Sequence, residues 1–489
     1  MKKFDLIRGA AGLSVALCMG AYLPSSVVWG QTVAGPYAAP SPVVYQGEYV
    51  DFEEVEVAQG TATPQSADPL VAFQLQLEEL QKQTESLRSE LDAEKKKNEK
   101  KLNSPFSMKV GAQVRFDGVY ISENAAAKEN FGNVVNSTGV NDVRVTFGGK
   151  AYQNLACGLT VRLSNGIAFQ DAFIRANDTA FGDVTLGNQY VESGMESVES
   201  NSDRAFPSLD EGASFFALRY RLGVSTRLFG AEKKTRTFLG MFLPQSVSSA
   251  PNRINLDNSG IVLNARMTAT PILTVDSDNF TREALHFGGS YFWLDPASNQ
   301  NLTLQTAGQL WYSGNSKFLS GTIPLNGASY SVTNVETAYQ YEGFAISGEG
   351  YFLSVKDMGN AYGATVAARW ILTPNCTRSY LVDNGRFGGI KMSEDALFLD
   401  VENRTVGSHL GAWEALVKWE WLEANDLKKL SEATYGNVNR SVVAANWFWN
   451  EQVVWSLGWE HAFVNSMKTT GSTAKGGFDT LILQGFFKL

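Results

Sequence analysis

The sequence predicts an all-β fold: a transmembrane antiparallel β-barrel of about 16 strands, preceded by a short N-terminal coiled-coil helix. Three observations support this prediction. A signal-like segment begins the chain, a heptad pattern occupies residues 68–103, and the spacing of apolar residues changes from 3.5 to 2 beyond Pro105. With 489 residues, the chain could form one large barrel instead of several ordinary domains.

The first 30 residues have the order of a secretory signal peptide. Lys2, Lys3 and Arg8 form a basic start, residues 9–23 are mostly apolar, and small residues precede Gln31. The apolar run is shorter than the ~20 residues that a transmembrane helix needs. We therefore expect residues 1–30 to direct export, and any membrane integration to come from strands.

Residues 31–67 are rich in Pro, Gly and Ala, which is typical of a flexible linker. Asp68 and Pro69 then resemble a helix N-cap followed by Pro at the first helical position. Apolar residues follow in heptad spacing over residues 68–103 and form a narrow seam: Leu70, Phe73, Leu77, Leu80, Thr84, Leu87 and Leu91. Such a seam needs a partner, so we expect self-association in the periplasm. Packing of a single helix on the barrel rim is the alternative.

From residue 104 to residue 489, apolar and polar side chains alternate in many segments, as expected for strands with one apolar and one wet face. Trp413, Trp419 and Trp421 share the apolar face of one such segment, opposite Lys418. Trp suits the headgroup level of a membrane barrel, whereas three Trp would crowd the core of a soluble sandwich. A secreted sandwich or lectin-like protein remains the alternative. At about 24 residues per strand the segment holds ~16 strands, enough to enclose a water-filled channel.

Several other classes of function are poorly supported. The net charge of −9, without a basic cluster, argues against a nucleic-acid partner. His286, His409 and His461 have no nucleophile or acid in a recognisable motif, so we expect neither an outer-membrane lipase or protease, nor a metal, nor a cofactor. Cys157 and Cys376 are expected to be isolated thiols.

Three stretches within residues 106–489 resemble the phosphate-selective porin O and P family. They are residues 171–204, the run Gly411-Ala412-Trp413-Glu414, and Asn446-Trp447 with Asn450. The resemblance implies a trimeric, 16-stranded porin in the outer membrane of a Gram-negative-type bacterium, with loop three folded into the pore. It also implies contacts with outer-membrane lipid and small ions or solutes. The closing strand, which carries Phe487, would be recognised by the barrel assembly machinery.

The candidate constriction differs from the family pattern. The family usually has Lys-Glu-Pro-Phe where this chain has Tyr190-Val191-Glu192-Ser193, and its phosphate-selective members carry Arg and Lys along the pore. Here residues 188–212 are acidic, with a single Arg. The candidate constriction residues are Glu192, Glu196, Glu199, Asp203, Arg204, Asp210 and Glu211. The candidate pore-wall residues are Arg115, Arg144, Arg162, Arg219, Arg221, Arg369 and Lys418.

The sign of the charge in a channel selects the permeant ion. Residues 104–489 hold 31 Lys or Arg and 36 Asp or Glu, because residues 1–103 account for ten and fourteen of the totals of 41 and 50. We therefore expect passive diffusion of small ions or solutes through a general or cation-leaning pore, unless the acidic loop is solvated and far from the channel. The alternative function is a structural tether, in which the coiled coil contacts the cell wall or other subunits.

Overall fold

The computed structural model describes Lys82 and residues 106–488, apart from 132–135, 153, 165–166, 201–202, 209–210, 245–259, 277–278, 297–300, 307–319, 325–327, 428–430 and 468–472. The expected signal peptide (1–30), the linker (31–67) and all of the coiled coil (68–103) except Lys82 lie outside these residues. No helix in the described part of the chain has the length and apolar character to cross a membrane.

The described residues form a closed barrel of sixteen antiparallel strands, which confirms the barrel part of the predicted fold. Each strand pairs with the next along the chain, and the first strand pairs with the last, so the barrel has no free edge. The barrel strands are β1 (Phe106–Glu123), β2 (Ser137–Ala151), β3 (Leu155–Arg162), β4 (Ala168–Thr179), β5 (Gly182–Tyr190), β6 (Tyr220–Phe229), β7 (Thr235–Phe242), β8 (Gly260–Val275), β9 (Thr281–Pro296), β10 (Tyr330–Tyr341), β11 (Phe344–Val355), β12 (Gly359–Ile371), β13 (Ala412–Glu423), β14 (Ser431–Phe448), β15 (Val453–Met467) and β16 (Thr473–Lys488).

The connections carry the remaining elements. Three short helices lie in loops: α1 (Ala125–Phe131), α2 (Met195–Val198) and α3 (Glu211–Phe216). Two 3-10 turns occupy Ala231–Lys233 and Glu394–Ala396. Three hairpins lie outside the run of barrel strands: Asn301–Gln305 with Ser320–Pro324, Thr377–Leu381 with Arg386–Lys391, and Leu399–Asp400 with Thr405–Val406.

Strand β13 shows the two faces of the barrel most clearly. Trp413, Val417 and Trp419 are 43–52% exposed on the outer face. Lys418 and Glu420, on the inner face, are no more than 2% exposed. Since successive residues of a strand point to opposite sides, the outer face is apolar and the inner face is polar. This is the alternation that the sequence predicts.

Aromatic side chains cluster around one end of the barrel. Trp413 stacks on Trp447 at 5.5 Å between ring centroids, and Trp455 and Phe116 both pack edge-on against Phe487. All lie near the end where the chain connections are short. Aromatic girdles of this kind mark the membrane interface of outer-membrane barrels.

The two ends of the barrel differ in the length of their connections. At one end, six connections between barrel strands span no more than five residues: 152–154, 180–181, 230–234, 276–280, 342–343 and 449–452. We call this the short-turn end. The opposite end carries several longer loops, among them residues 191–219 between β5 and β6, although its connections 163–167, 356–358 and 468–472 are also short. We call residues 191–219 the constriction loop, because they fold into the barrel interior.

Part of the interior is packed with apolar side chains. Phe215 and Phe216 of α3 belong to a buried cluster with inner-wall residues, and Phe216 stacks on Tyr351 of β11 at 5.3 Å. On β12, a side chain at Gly363 would meet the Phe216 ring at 2.7 Å. The helix α3 therefore packs against the inner wall and fills part of the barrel interior.

Candidate constriction of the channel

The constriction loop leaves the barrel wall and returns to it at one place. The Val191 N–H donates to the Arg219 carbonyl at 2.8 Å, so the loop is pinched together at its base. Gly194 then turns with φ of 143°, and a side chain there would meet the Glu349 carboxylate at 2.6 Å and the Tyr351 hydroxyl at 2.8 Å. Glycine is required here because the backbone passes this close to β11.

Glu192 is buried and surrounded by arginines of β6, β7 and β8. Its carboxylate accepts a 2.7 Å hydrogen bond from Arg236 Nη1 and lies 3.2 Å from Arg266 Nη1 and 3.4 Å from Arg227 Nη2. Burial alone would raise the pKa of this carboxyl, but Arg236, Arg227 and Arg266 together lower it to about 2. Glu192 thus holds the start of the loop to the wall as an anion at neutral pH.

A second set of charges lies on β13, β14 and β15. Lys418 Nζ is 2.6 Å from Glu420 and 3.7 Å from Glu196 of the loop. Arg440 bonds Glu420 through Nε and Nη2 at 2.7 and 2.8 Å. These charges are buried, and each has an opposite charge within ion-pair distance. The Glu196 side chain therefore faces a cation on the wall.

Glu199 lies further along the constriction loop, within electrostatic reach of Glu196, Arg204 and Arg378. Burial is the main cause that raises the pKa of the Glu199 carboxyl to about 7, and the neighbouring Glu196 raises it further. Arg378, Arg204 and Arg369 act in the opposite direction and do not outweigh them. Glu199 is consequently a loop carboxylate whose pKa lies near neutral pH.

Asp203 connects the loop to the hairpin formed by Thr377–Leu381 and Arg386–Lys391, which we call the inner hairpin. Arg386 Nη1 donates to Asp203 Oδ2 at 2.9 Å, and Arg378 Nη1 donates to the Asp203 carbonyl at 2.5 Å. Arg369 of β12 lies over the ring of Phe387 in the same hairpin, at 3.8 Å from the centroid. The hairpin thus packs against the loop and against the wall.

Three candidate wall arginines lie side by side on β1, β2 and β3. Arg144 is 2.8 Å from Asp142, Arg162 is 3.3 Å from the same carboxylate, and Arg115 is 3.4 Å from Asp117. Arg115 and Arg144 remain partly exposed. This stretch of wall therefore presents the partly exposed Arg115 and Arg144 beside two buried aspartates.

Arg219 and Arg221 lie where the constriction loop joins β6. Arg219 lies one residue before β6, has a left-handed φ of 60°, and accepts the Val191 hydrogen bond that continues the pairing of β5 with β6. Arg221 is fully buried and donates to the Tyr220 carbonyl at 2.7 Å. Asp210 and the side chain of Glu211 lie outside the described residues.

Comparison with known proteins gives the family. The sequence profile described as "Phosphate-selective porin O and P" matches residues 134–483, which is more than half of the chain. The chain belongs to this family. The resemblance found in the sequence is thereby confirmed. A search of curated protein sequences gave no match.

Solved structures similar to this porin have low sequence identity. The outer membrane channel DcaP of Acinetobacter baumannii is 10% identical, with 79% of this chain and 98% of that chain covered and a TM-score of 0.46. The anion-selective porin from Comamonas acidovorans is 9% identical, with 78% and 100% covered and a TM-score of 0.46. In vitro folded OmpT of Vibrio cholerae is 10% identical, with 79% and 98% covered and a TM-score of 0.45.

The porin interior contains charged residues that the sequence did not single out as site residues. They are Arg175, Arg227, Arg236, Arg266, Glu336, Arg378, Arg386, Glu414, Glu420 and Arg440. The inward direction of Arg236 could not be recognised from the sequence, because its strand β7 is apolar on both faces. Phe238 and Phe242 point inward, and Leu239 points outward. For Arg378 and Arg386 no local signal exists, because nothing in residues 377–391 indicates that they enter the barrel.

His286 and His461 each contact polar neighbours in the barrel. His286 is buried against Tyr380 and lies 3.5 Å from Glu336. His461 faces outward and lies 2.9 Å from Asp479. No group of three or more metal-ligating side chains occurs among the described residues. The family and the fold point to a channel and not to an enzyme.

Proposed function

We propose that this outer-membrane porin forms a water-filled channel for passive diffusion of small ions and solutes, with little preference for the sign of the ion. The sequence was compatible with either a general or a cation-leaning pore, and the geometry of the charged residues favours the general pore. The proposal rests on the family and on the arrangement of charges inside the barrel.

One observation carries the selectivity proposal: the acidic loop is neutralised where it touches the barrel. Glu192, Glu196 and Asp203 each lie within 4 Å of an arginine or lysine nitrogen. Paired charges produce a much weaker field in the channel than the same number of unpaired carboxylates. The excess of acidic residues in the sequence therefore overstates the cation preference.

The test is a reversal potential in planar bilayers across a KCl gradient, with protein refolded from residues 31–489. We expect single channels whose reversal potential lies close to zero. A potential near the limit for potassium would support the cation-leaning pore, and one near the limit for chloride would support an anion channel. Absence of any conductance from correctly folded barrels would overturn the channel itself.

The orientation and the assembly state belong to the same proposal. By analogy with other outer-membrane barrels, the short-turn end faces the periplasm and the long loops face the medium. We propose a homotrimer, because the family resemblance implies one, and insertion by the barrel assembly machinery through β16. Native mass spectrometry in detergent would distinguish a trimer from a monomer.

The N-terminal segments complete the proposal. Residues 1–30 act as a signal peptide, and residues 68–103 form a periplasmic coiled coil. If the coiled coil tethers the barrel to the cell wall, deletion of 68–103 abolishes co-sedimentation with peptidoglycan. We expect conductance to survive that deletion, because the residues that surround the channel all lie in 106–488. Loss of conductance in a folded deletion variant would favour the structural tether over the channel as the main function.

A further inference from the structure

The connection between β12 and β13 is exceptional for its end of the barrel. It spans residues 372–411, whereas the six other connections at the short-turn end have no more than five residues. It contains the inner hairpin, whose strands pair with one another and with no barrel strand. Long insertions at such positions are usually functional.

The inner hairpin is attached to the inner wall at several points. Arg266 of β8 donates to the Asn384 carbonyl at 2.8 Å and to the Gly385 carbonyl at 2.6 Å, at the tip of the hairpin. Thr270 donates to the Tyr380 hydroxyl at 3.0 Å, and Gln340 donates to the Arg378 carbonyl at 2.8 Å. The hairpin is thus held inside the barrel and not in the solvent at its mouth.

The constriction loop enters from the opposite end and meets the hairpin at Asp203. The Asp203 carboxylate binds Arg386, and its carbonyl binds Arg378. Met195 of the loop also packs in one buried cluster with Tyr380 and Phe387 of the hairpin. Two segments that start at opposite ends of the barrel therefore hold each other in its middle.

We infer that Asp203 is the positioning residue that holds the constriction loop against the inner hairpin, and that this contact fixes the width of the channel. This inference rests on the proposed channel function. Charge-assisted hydrogen bonds between arginine and a carboxylate are directional, so they fix the loop at one distance from the hairpin. Without the carboxylate bond, the loop keeps the bond from Arg378 to the Asp203 carbonyl and its apolar contacts with the hairpin.

The test is a double-mutant cycle of D203N, R386Q and D203N/R386Q, with single channels recorded in 1 M KCl. At this salt concentration the Debye length is about 3 Å, so the loss of a charge by itself has little effect on conductance. We expect each single variant to increase both the open-channel current noise and the conductance. These increases should be several-fold smaller than those caused by deletion of the hairpin. The double variant should change them no more than the larger single change, because both substitutions break the same contact.

The matched control is K391Q. Lys391 lies on the same hairpin but pairs with Glu451 at 3.0 Å on the exposed rim, away from the constriction loop. We expect K391Q to behave as the wild type. Unchanged noise and conductance in both D203N and R386Q, or additive changes in the double variant, would overturn the inference. Wild-type protein that folds but conducts no current would instead overturn the proposed channel.

Discussion

Arg378 of the inner hairpin donates two hydrogen bonds to Glu414 of β13, from Nε to Oε1 and from Nη2 to Oε2, and both are 2.7 Å long. Glu414 also accepts a 2.8 Å hydrogen bond from Asn446 of β14. Glu414 ends the Gly-Ala-Trp-Glu run that resembles the family, and Asn446 begins the Asn-Trp run. Two motifs that are separate in sequence thus meet at the Glu414 carboxylate, and its bonds from Arg378 join the hairpin to the barrel wall.

The substitution E414Q should destabilise the barrel strongly. It leaves Arg378 buried without its counter-charge, and removal of one partner of a buried pair costs about 3–5 kcal/mol. We would measure the free energy of unfolding by urea in lipid vesicles. The matched control is E451Q, whose pair with Lys391 is about 40% exposed and should contribute less than about 1 kcal/mol. Equal losses for the two variants would contradict the anchoring role of Glu414.

Acidification should weaken the attachment of the constriction loop through Glu192. Its pKa is lowered to about 2 in the folded protein, below the ordinary value of 4.5. The stabilisation is therefore complete above about pH 4.5 and is lost as the pH falls towards 2. We expect the wild type to exceed E192Q in unfolding free energy by about 3 kcal/mol at pH 7, since one pKa unit corresponds to about 1.4 kcal/mol. The difference should shrink towards zero by pH 2, and a difference independent of pH would disagree with this assignment.

Ion selectivity should change with pH near neutrality because of Glu199. Burial and the nearby Glu196 raise the pKa of Glu199 to about 7, so it gains its negative charge between pH 6 and pH 8. We expect the reversal potential in a KCl gradient to move towards cation preference over this interval. E199Q should remove most of the shift, since the amide does not titrate. E232Q, at an exposed turn, is the control and should retain it. A full shift in E199Q would exclude Glu199 as its source.

A charged side chain on the outer face of the barrel, at the middle of the membrane, should lower the free energy of unfolding. Val417 points outward from the middle of β13 and is 52% exposed, so V417R places a guanidinium in lipid. A central arginine costs about 2–4 kcal/mol in outer-membrane barrels. V406R is the control, because Val406 is 71% exposed in the hairpin Leu399–Asp400 with Thr405–Val406 at the short-turn end. We expect V406R to lie within about 0.5 kcal/mol of the wild type. Similar refolding free energies for both variants would indicate that Val417 does not face lipid.

The sequence by itself determined the architecture of the barrel. A strand with one face in lipid and the other towards water must alternate in polarity, and this local rule is visible residue by residue, as in Trp413, Val417 and Lys418. The number of strands followed from length, because the thickness of the membrane sets the length of each strand. The family resemblance was likewise visible in short motifs.

Only the tertiary structure decided how the charges inside the barrel are paired. Composition predicted an acidic constriction, but Glu192 and Asp203 bind Arg236 and Arg386, which are 44 and 183 residues further along the chain. No local pattern records such pairs, because they form between wall, loop and hairpin only when the barrel closes. The same reason hid the inner hairpin: its strands follow ordinary short-range rules, whereas its position in the middle of the barrel depends on contacts with β8, β10 and β13.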